Sequence, residues 1–198
     1  MNKRIMFIFG IICIIFFSIF YYIFCISGNN NIRNQNEFVE DIFENLEKYE
    51  ANVDVEVVSN KNENKYNMSQ IVDGENSKLI VNSPENVRGL EIEFKDGNLK
   101  ITNEKTNMEK VYENYKLLIK NSLFINSFIE DYKNYEPTIT VNEEEIIIKI
   151  DIDKNINTYI KSKELYLNKN TGLPTKLLIK DDSQKVNTSI IYNDIKIK

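Results

Sequence analysis

The stretch Leu90-Glu-Ile-Glu-Phe-Lys-Asp-Gly-Asn-Leu-Lys-Ile-Thr102 contains two short alternating segments joined by a tight turn. Before the turn, three apolar residues alternate with charged ones, which is the pattern of a strand with one buried face. Asp96-Gly97 is a dipeptide that favours the two-residue turns of antiparallel hairpins, and the alternation resumes at Leu99. The stretch therefore predicts an antiparallel hairpin with one apolar face.

Similar segments lie on both sides of this hairpin and are separated by turn residues. The first begins where valines alternate with Asp54 and Glu56, and Asp73-Gly74, Ser83-Pro84 and Asp181-Asp182 mark further turns. Successive strands with short turns predict antiparallel pairing along the chain. The other predicted strands are Val53–Val57, Tyr66–Val72, Lys78–Asn82, Thr138–Val141, Ile146–Ile152, Leu165–Leu167, Lys176–Lys180 and Val186–Ile197.

Two segments have helical rather than alternating spacing of apolar residues. The first is predicted over Glu37–Tyr49, with Asn36 as its cap, and the second over Tyr115–Tyr132. Their apolar faces either pack flat on the sheet or line a cavity for an acyl chain, and spacing alone favours packing. The residues that would line such a cavity, or form its lid, are Phe38, Ile42, Phe43, Leu46, Leu117, Leu118, Phe124 and Phe128.

The order of these elements is helix, strands, helix, strands, which predicts an α+β fold that is mainly β. Meandering strands with few helices indicate a strongly curved antiparallel sheet or an incomplete barrel, with the helices over one face. We expect one domain over residues 37–198, because no repeat or change of composition divides it. Residues 28–36 are predicted to be a polar spacer, and residues 1–27 a membrane anchor or signal segment.

The N-terminal segment is an uncharged, apolar run from Ile5 to Ile26, preceded by Lys3 and Arg4. A helix needs roughly 20 apolar residues to span a bilayer, and positive residues before the run keep the N-terminus in the cytoplasm. The run therefore predicts a transmembrane or signal-anchor helix, with the rest of the chain at the extracytoplasmic face of a cell membrane.

This segment has three alternative fates: it stays as an uncleaved anchor, a peptidase cuts after Ser27, or Cys25 is lipidated. Lipidation requires a small residue before the cysteine, whereas Phe24 is bulky. The pattern favours the uncleaved anchor, and Cys25 is the lipidation candidate.

Composition excludes several functions of the exported part. All 30 acidic residues follow the apolar run, and the whole chain carries a net charge of −5, so we expect no nucleic-acid binding. The chain has no histidine, which removes the commonest zinc ligand and the commonest general base. Both cysteines lie within the run, so no disulfide is expected in the exported domain.

The acidic clusters do not match a motif with known chemistry. Asp151-Ile-Asp-Lys-Asn155 resembles the start of a calcium loop, but the sixth position is Ile156 rather than glycine and the twelfth is Ser162 rather than glutamate. The sequence also has no phosphate-binding loop and no nucleophile–base set. We therefore predict no catalytic residue, no metal and no cofactor, and a protein that is not an enzyme.

The segment Leu165-Tyr-Leu-Asn-Lys-Asn-Thr-Gly-Leu-Pro-Thr-Lys-Leu177 resembles the strand–turn–strand of the LolA-like superfamily, with its Asp/Asn-x-x-Thr-Gly-Leu-Pro turn. The early helix, the strand from Val53 and the final strand through Ile190–Ile195 are similar too, so the likeness covers residues 37–198. The resemblance implies an incomplete barrel that is covered by helices and encloses an apolar cavity. Within the superfamily, the chain most resembles the GerS family of clostridial germination lipoproteins.

That resemblance implies a non-enzymatic sporulation or germination protein on a forespore membrane. Its partner would be a zinc-dependent spore cortex N-acetylmuramoyl-L-alanine amidase of the CwlD type, which it would support in modifying the cortex. Exposed strand edges would serve partner binding, and the same edges would pair two copies of the chain in a homodimer.

Two other interpretations stay open. The first is an anchored lipid- or lipoprotein-binding protein of the cell envelope, in which the apolar cavity of the barrel is the site. The second is an envelope stress sensor whose partner is an anti-sigma factor. A freely shuttling lipoprotein carrier is disfavoured, because the apolar run tethers the chain.

Overall fold

The computed structural model describes residues 36–59, 62–115, 123–153 and 160–198. Within these ranges, no helix combines the length and the apolar character that crossing a bilayer requires. The predicted anchor, Cys25 within it, and the predicted lining residues Leu117 and Leu118 lie outside the described residues.

The chain divides into two units. The first, Met1–Asp41, is described only over its last residues, which are helical from residue 36. The second, Ile42–Lys198, contains the remaining described elements. The helices are α1 over residues 36–45 and α2 over Ile125–Asn134, and a 3₁₀ turn covers Glu104–Thr106. The strands are β1 Lys48–Val58, β2 Glu63–Asp73, β3 Asn76–Ser83, β4 Leu90–Lys95, β5 Asn98–Asn103, β6 Met108–Tyr112, β7 Pro137–Val141, β8 Glu145–Asp151, β9 Ser162–Asn168, β10 Pro174–Lys180 and β11 Val186–Ile197.

All these strands belong to one 11-stranded sheet in the order β6-β5-β4-β3-β2-β1-β11-β10-β9-β8-β7. Each neighbouring pair is antiparallel, so β1–β6 form one meander and β7–β11 form a second. The two meanders, called here the N-terminal half and the C-terminal half, join where β1 pairs with β11. The prediction of a mainly β fold built on a curved antiparallel sheet is confirmed.

The hairpin at residues 90–102 is formed as predicted by β4 and β5. Lys95 is opposite Asn98, and the two turn residues Asp96 and Gly97 have φ angles of 51° and 75°. Positive φ at both central positions gives the turn whose twist matches that of the flanking strands, and Asp and Gly are suited to it.

One face of the sheet, called here the inner face, carries the buried apolar side chains, and they alternate with outward-facing residues along each strand. The buried apolar residues of the sheet are Tyr49, Ala51, Val53, Val55, Met68, Val72, Leu79, Val81, Leu99, Ile146, Ile148, Ile150, Leu165, Leu167, Leu177, Ile179, Ile190 and Tyr192. Their burial is the main favourable term in the stability of the fold.

The turn that carries the LolA-like resemblance supports the C-terminal end of α1. Gly172 has a φ of +69°, and a Cβ atom at this position would lie 3.1 Å from Cγ1 of Ile42. Asn168 Oδ1 accepts hydrogen bonds from the backbone N–H groups of Asn170 and Thr171, at 3.0 Å each. Glycine is therefore needed here both for its backbone conformation and for the close approach of the helix.

The predicted helix limits were wrong in the first helix. The helix was predicted to reach Tyr49, but it ends at residue 45 and β1 begins at Lys48. Tyr49 fits a helical face and a strand face equally well, and pairing with Val72 and Ile197 on the two neighbouring strands favours the strand.

The second predicted helix, Tyr115–Tyr132, also differs from the structure. Tyr115 is not helical, and the described helix α2 starts at Ile125 and continues to Asn134. Strand β6 was not predicted, because Glu109 and Lys110 interrupt the apolar alternation that would have indicated it.

Candidate functional site

Helix α2 is held on the inner face by buried hydrogen bonds. The Tyr49 hydroxyl donates to Oε1 of Gln70 at 3.2 Å and accepts from the backbone N–H of Ile125 at 3.3 Å. The Gln70 amide donates to the carbonyl oxygen of Leu123 at 2.8 Å. Gln70 and Tyr49 are both fully buried, and burial raises the pKa of the tyrosine. This network fixes the N-terminal end of α2 on β1 and β2.

An ion pair fixes the other part of α2 on β9. Nζ of Lys163 lies 2.6 Å from a carboxylate oxygen of Asp131 and donates to Oγ of Ser127 at 3.0 Å. The lysine side chain is 4% exposed and that of Asp131 is 16% exposed, so both charges are largely removed from water. Losing either partner would leave the other charge buried and uncompensated.

A cavity of about 590 Å³ lies between α2 and the turns at one end of the N-terminal half. Its apolar lining comes from Phe94 on β4 and from Phe124 and Ile129 beside or on α2. The β2–β3 turn supplies Gly74, whose carbonyl oxygen accepts a hydrogen bond from the Asn126 side chain at 3.1 Å. The volume falls within the range of about 300–1,000 Å³ that is typical of ligand sites.

The charged lining of this cavity is mainly acidic. Glu47, Glu75 and Glu130 line it, together with a single cation, Lys133. None of these three glutamates forms an ion pair within the described part of the chain. Carboxylates without partners create a negative potential at the cavity that favours cationic groups and disfavours anionic ones.

Ser127 also lines the cavity, and its contact with Lys163 resembles a serine–lysine nucleophile pair. In such a pair, the amine must accept the hydroxyl proton. Here Nζ of Lys163 is already engaged by the Asp131 carboxylate, and it donates to the serine oxygen. The arrangement therefore supports the position of α2 and does not activate Ser127.

The described members of the predicted lining set have different surroundings. Phe124 lines the cavity, whereas Phe128 is fully buried and packs edge-on against Phe43, with ring centroids 6.3 Å apart. Leu46 is fully buried, and Phe38 is 48% exposed. Ile42, which is half-buried, approaches Gly172.

The outer face of the sheet carries a polar cluster of Asn52, Asp54, Asn67 and Asn193. The Asn67 amide donates to Asn52 and to Asp54, at 2.8 Å each, and the Asn193 amide donates to the second oxygen of Asp54 at 2.7 Å. These hydrogen bonds lower the pKa of Asp54, because they stabilise its charged form. The cluster links β11, β1 and β2 on the face opposite α2.

Sequence reasoning missed the polar residues that hold α2, and it missed the acidic lining. Gln70 and Lys163 each occupy an inner-face position, two residues from Met68 and Leu165 respectively, so strand periodicity was the signal that placed them inward. No group of three or more His, Cys, Asp or Glu side chains suited to a metal ion occurs in the described ranges.

Comparison with protein families assigns the chain to a group. A family model described as "Sporulation protein YdcC-like" matches residues 3–198. The chain belongs to the YdcC-like sporulation protein family. No curated protein matches it significantly by sequence.

Several solved structures are similar to most of the chain. An uncharacterized conserved protein from Thermus thermophilus has a TM-score of 0.56 at 11% identity, covering 83% of this chain and 88% of that one. The structure of the CwlD amidase from Clostridioides difficile in complex with the GerS lipoprotein has a TM-score of 0.54 at 23% identity. The match covers 84% of this chain and 95% of that chain. A LolA superfamily protein from Nitrosomonas europaea has a TM-score of 0.41 at 15% identity, and the match covers 81% of this chain and 93% of that chain. The predicted resemblance is confirmed at the level of the fold by the complex that contains GerS.

Proposed function

We propose that the chain is a non-enzymatic sporulation protein that is tethered to a membrane and binds a spore cortex amidase. Its family is a sporulation family, and the match extends over residues 3–198. The observation that carries the proposal is the likeness to GerS, a lipoprotein whose solved structure is a complex with the CwlD amidase. The likeness spans 84% of this chain and 95% of the other, so a whole module is shared.

The geometry is compatible with a rigid binding module. Hydrogen bonds and a buried ion pair hold α2 on the sheet, which keeps the surfaces beside the helix in place for a partner. Lys163 is engaged by Asp131 and donates to Ser127, so this contact holds α2 on the sheet, which supports a role without catalysis.

The proposal includes the position of the domain in the cell. Ile5–Ile26 would anchor the chain with Lys3 and Arg4 on the cytoplasmic side, and the curved sheet would form an incomplete barrel at the extracytoplasmic face. In a sporulating cell, this place is a forespore membrane, where the amidase reaches the cortex.

A binding measurement between purified proteins tests this function. The full-length chain, in nanodiscs of phosphatidylcholine, is titrated with the spore cortex amidase of the same organism, and a vegetative cell-wall amidase is the control. We expect a Kd of about 1 μM or tighter for the cortex amidase alone. Equal affinity for both amidases, or no binding at about 100 μM, would contradict the proposal.

The absence of catalysis is tested in the same preparation. The chain alone should release no product from purified cortex peptidoglycan, whereas the amidase with the chain should. Product release by the chain without the amidase would overturn the non-enzymatic assignment.

A further inference from the structure

We propose that the cavity between α2 and the turns of the N-terminal half receives an apolar side chain from a basic segment of the protein partner. This inference rests on the proposed function, because it names the surface through which the partner is held. Three features support it: an apolar lining, an acidic rim and a rigid frame.

The apolar lining provides the binding energy. Phe94 on β4 is only half-buried, and Phe124 and Ile129 face the same space. An apolar side chain inserted between them would remove both its own surface and theirs from water. Aromatic side chains in such pockets are typical anchors of protein interfaces.

The acidic rim selects the charge of the occupant. Glu47 and Glu75 are exposed, Glu130 is half-buried, and only Lys133 opposes them. Neighbouring carboxylates outside the cavity are already paired. Oδ1 of Asp73 lies 2.8 Å from Nζ of Lys48, and Oε1 of Glu50 lies 2.6 Å from Nζ of Lys198. The unpaired rim therefore complements lysine or arginine residues that flank an apolar side chain, and it repels an anionic lipid headgroup.

The frame keeps the cavity open to a partner without a large rearrangement. The Asn126 amide joins α2 to the β2–β3 turn at Gly74, and Ser127 is fixed by Lys163. The backbone N–H of Gly74 in turn donates to the carbonyl oxygen of Glu47 at 3.0 Å. A preformed site loses less entropy when its partner binds.

Defined peptides test the charge and the apolar anchor separately. The probe is a fluorescent peptide, Gly-Lys-Lys-Leu-Phe-Lys-Lys-Gly, and its binding to the full-length chain in phosphatidylcholine nanodiscs is followed by anisotropy. One control peptide has glutamate in place of each lysine, and a second has serine in place of Leu-Phe. We expect each control to bind at least about tenfold more weakly than the probe, and raised salt to weaken the probe further.

Matched variants locate the binding. Glu75→Gln with Glu130→Gln should weaken the probe about tenfold, whereas Glu93→Gln with Glu143→Gln, the same change of charge outside the cavity lining, should leave it unchanged. Ser77→Phe, which fills the cavity from β3, should abolish binding of the probe. Circular dichroism verifies that each variant keeps its fold.

The amidase titration separates failure of this inference from failure of the proposed function. If the cortex amidase binds and the cavity variants bind it as tightly as the unmodified chain, the function stands and the inference is wrong. If the peptides bind as expected but the amidase does not, the proposed function is wrong. A lipid that remains in the cavity, seen by native mass spectrometry and lost in Ser77→Phe, would overturn the inference in favour of a lipid site.

Discussion

Strands β8–β10 and strand β4 have similar alternating patterns, but their inner faces are buried to different extents. On β8–β10, Ile148, Leu165 and Leu177 are completely buried. On β4 no residue is buried, although Ile92 and Phe94 are as apolar as their counterparts. The same alternation therefore builds a closed core on β8–β10 and a partly open apolar surface on β4. We expect the first region to contribute more to stability and the second to belong to the proposed binding surface.

The largest effect is expected when one isoleucine in each of these two regions is shortened. Ile148→Ala on β8 should lower the free energy of unfolding by about 4 kcal/mol, because it leaves a cavity in a closed core. Ile92→Ala on β4 should lower the free energy of unfolding by about 1 kcal/mol, because the isoleucine side chain is only half-buried. Urea unfolding of the two variants measures both values. Equal losses would remove the distinction between β8–β10 and β4.

The sequence predicted the strands better than the helices, for a physical reason. Strand identity depended on alternation and on turn residues such as Asp96-Gly97, which are local signals. The end of α1 depended on pairing of Tyr49 with strands that are distant in the chain, which no local pattern records. Helix spacing indicated an apolar face, but it did not decide whether that face packs on the sheet or lines a cavity. Phe128 is fully buried in the core, whereas Phe124 is buried and also lines the cavity.

The second prediction concerns the attachment of α2 to the C-terminal half. Lys163→Ala should lower the free energy of unfolding by about 3 kcal/mol, because Asp131 then stays in a largely buried place without its partner. Lys48→Ala is the matched control, since its ion pair with Asp73 is exposed, and thermal unfolding should show no measurable change. A loss in the control as large as that in Lys163→Ala would contradict the account.

The third prediction compares two buried tyrosines. Tyr49→Phe should lower the free energy of unfolding by about 1–2 kcal/mol, because Gln70 and the N–H of Ile125 lose their partner. Tyr192→Phe should leave stability unchanged or raise it, because the Tyr192 hydroxyl has no hydrogen-bond partner among the described residues. Calorimetry of both variants measures the change in the free energy of unfolding. A greater loss of stability in Tyr192→Phe than in Tyr49→Phe would contradict this prediction.

The smallest effect is expected on the outer face, where Asp54 has a lowered pKa. A carboxyl group with a lowered pKa in the folded state adds stability above its usual pKa, and that stability is lost as the pH falls through the lowered value. Between pH 7 and about pH 3.5, the melting temperature of the unmodified chain should therefore fall further than that of Asp54→Asn. Identical pH profiles would mean that the hydrogen bonds from Asn67 and Asn193 do not favour the charged form.

Hydrogen exchange of the full-length chain, alone and with the cortex amidase, locates the surface that binds the amidase. We predict new protection in residues 74–77, in the β4–β5 hairpin and in α2, with little change in β8–β10, whose amides are already protected by the closed core. Protection that appears only on β8–β10, or on the outer face around Asp54, would contradict the assignment of binding to the surface around β4 and α2.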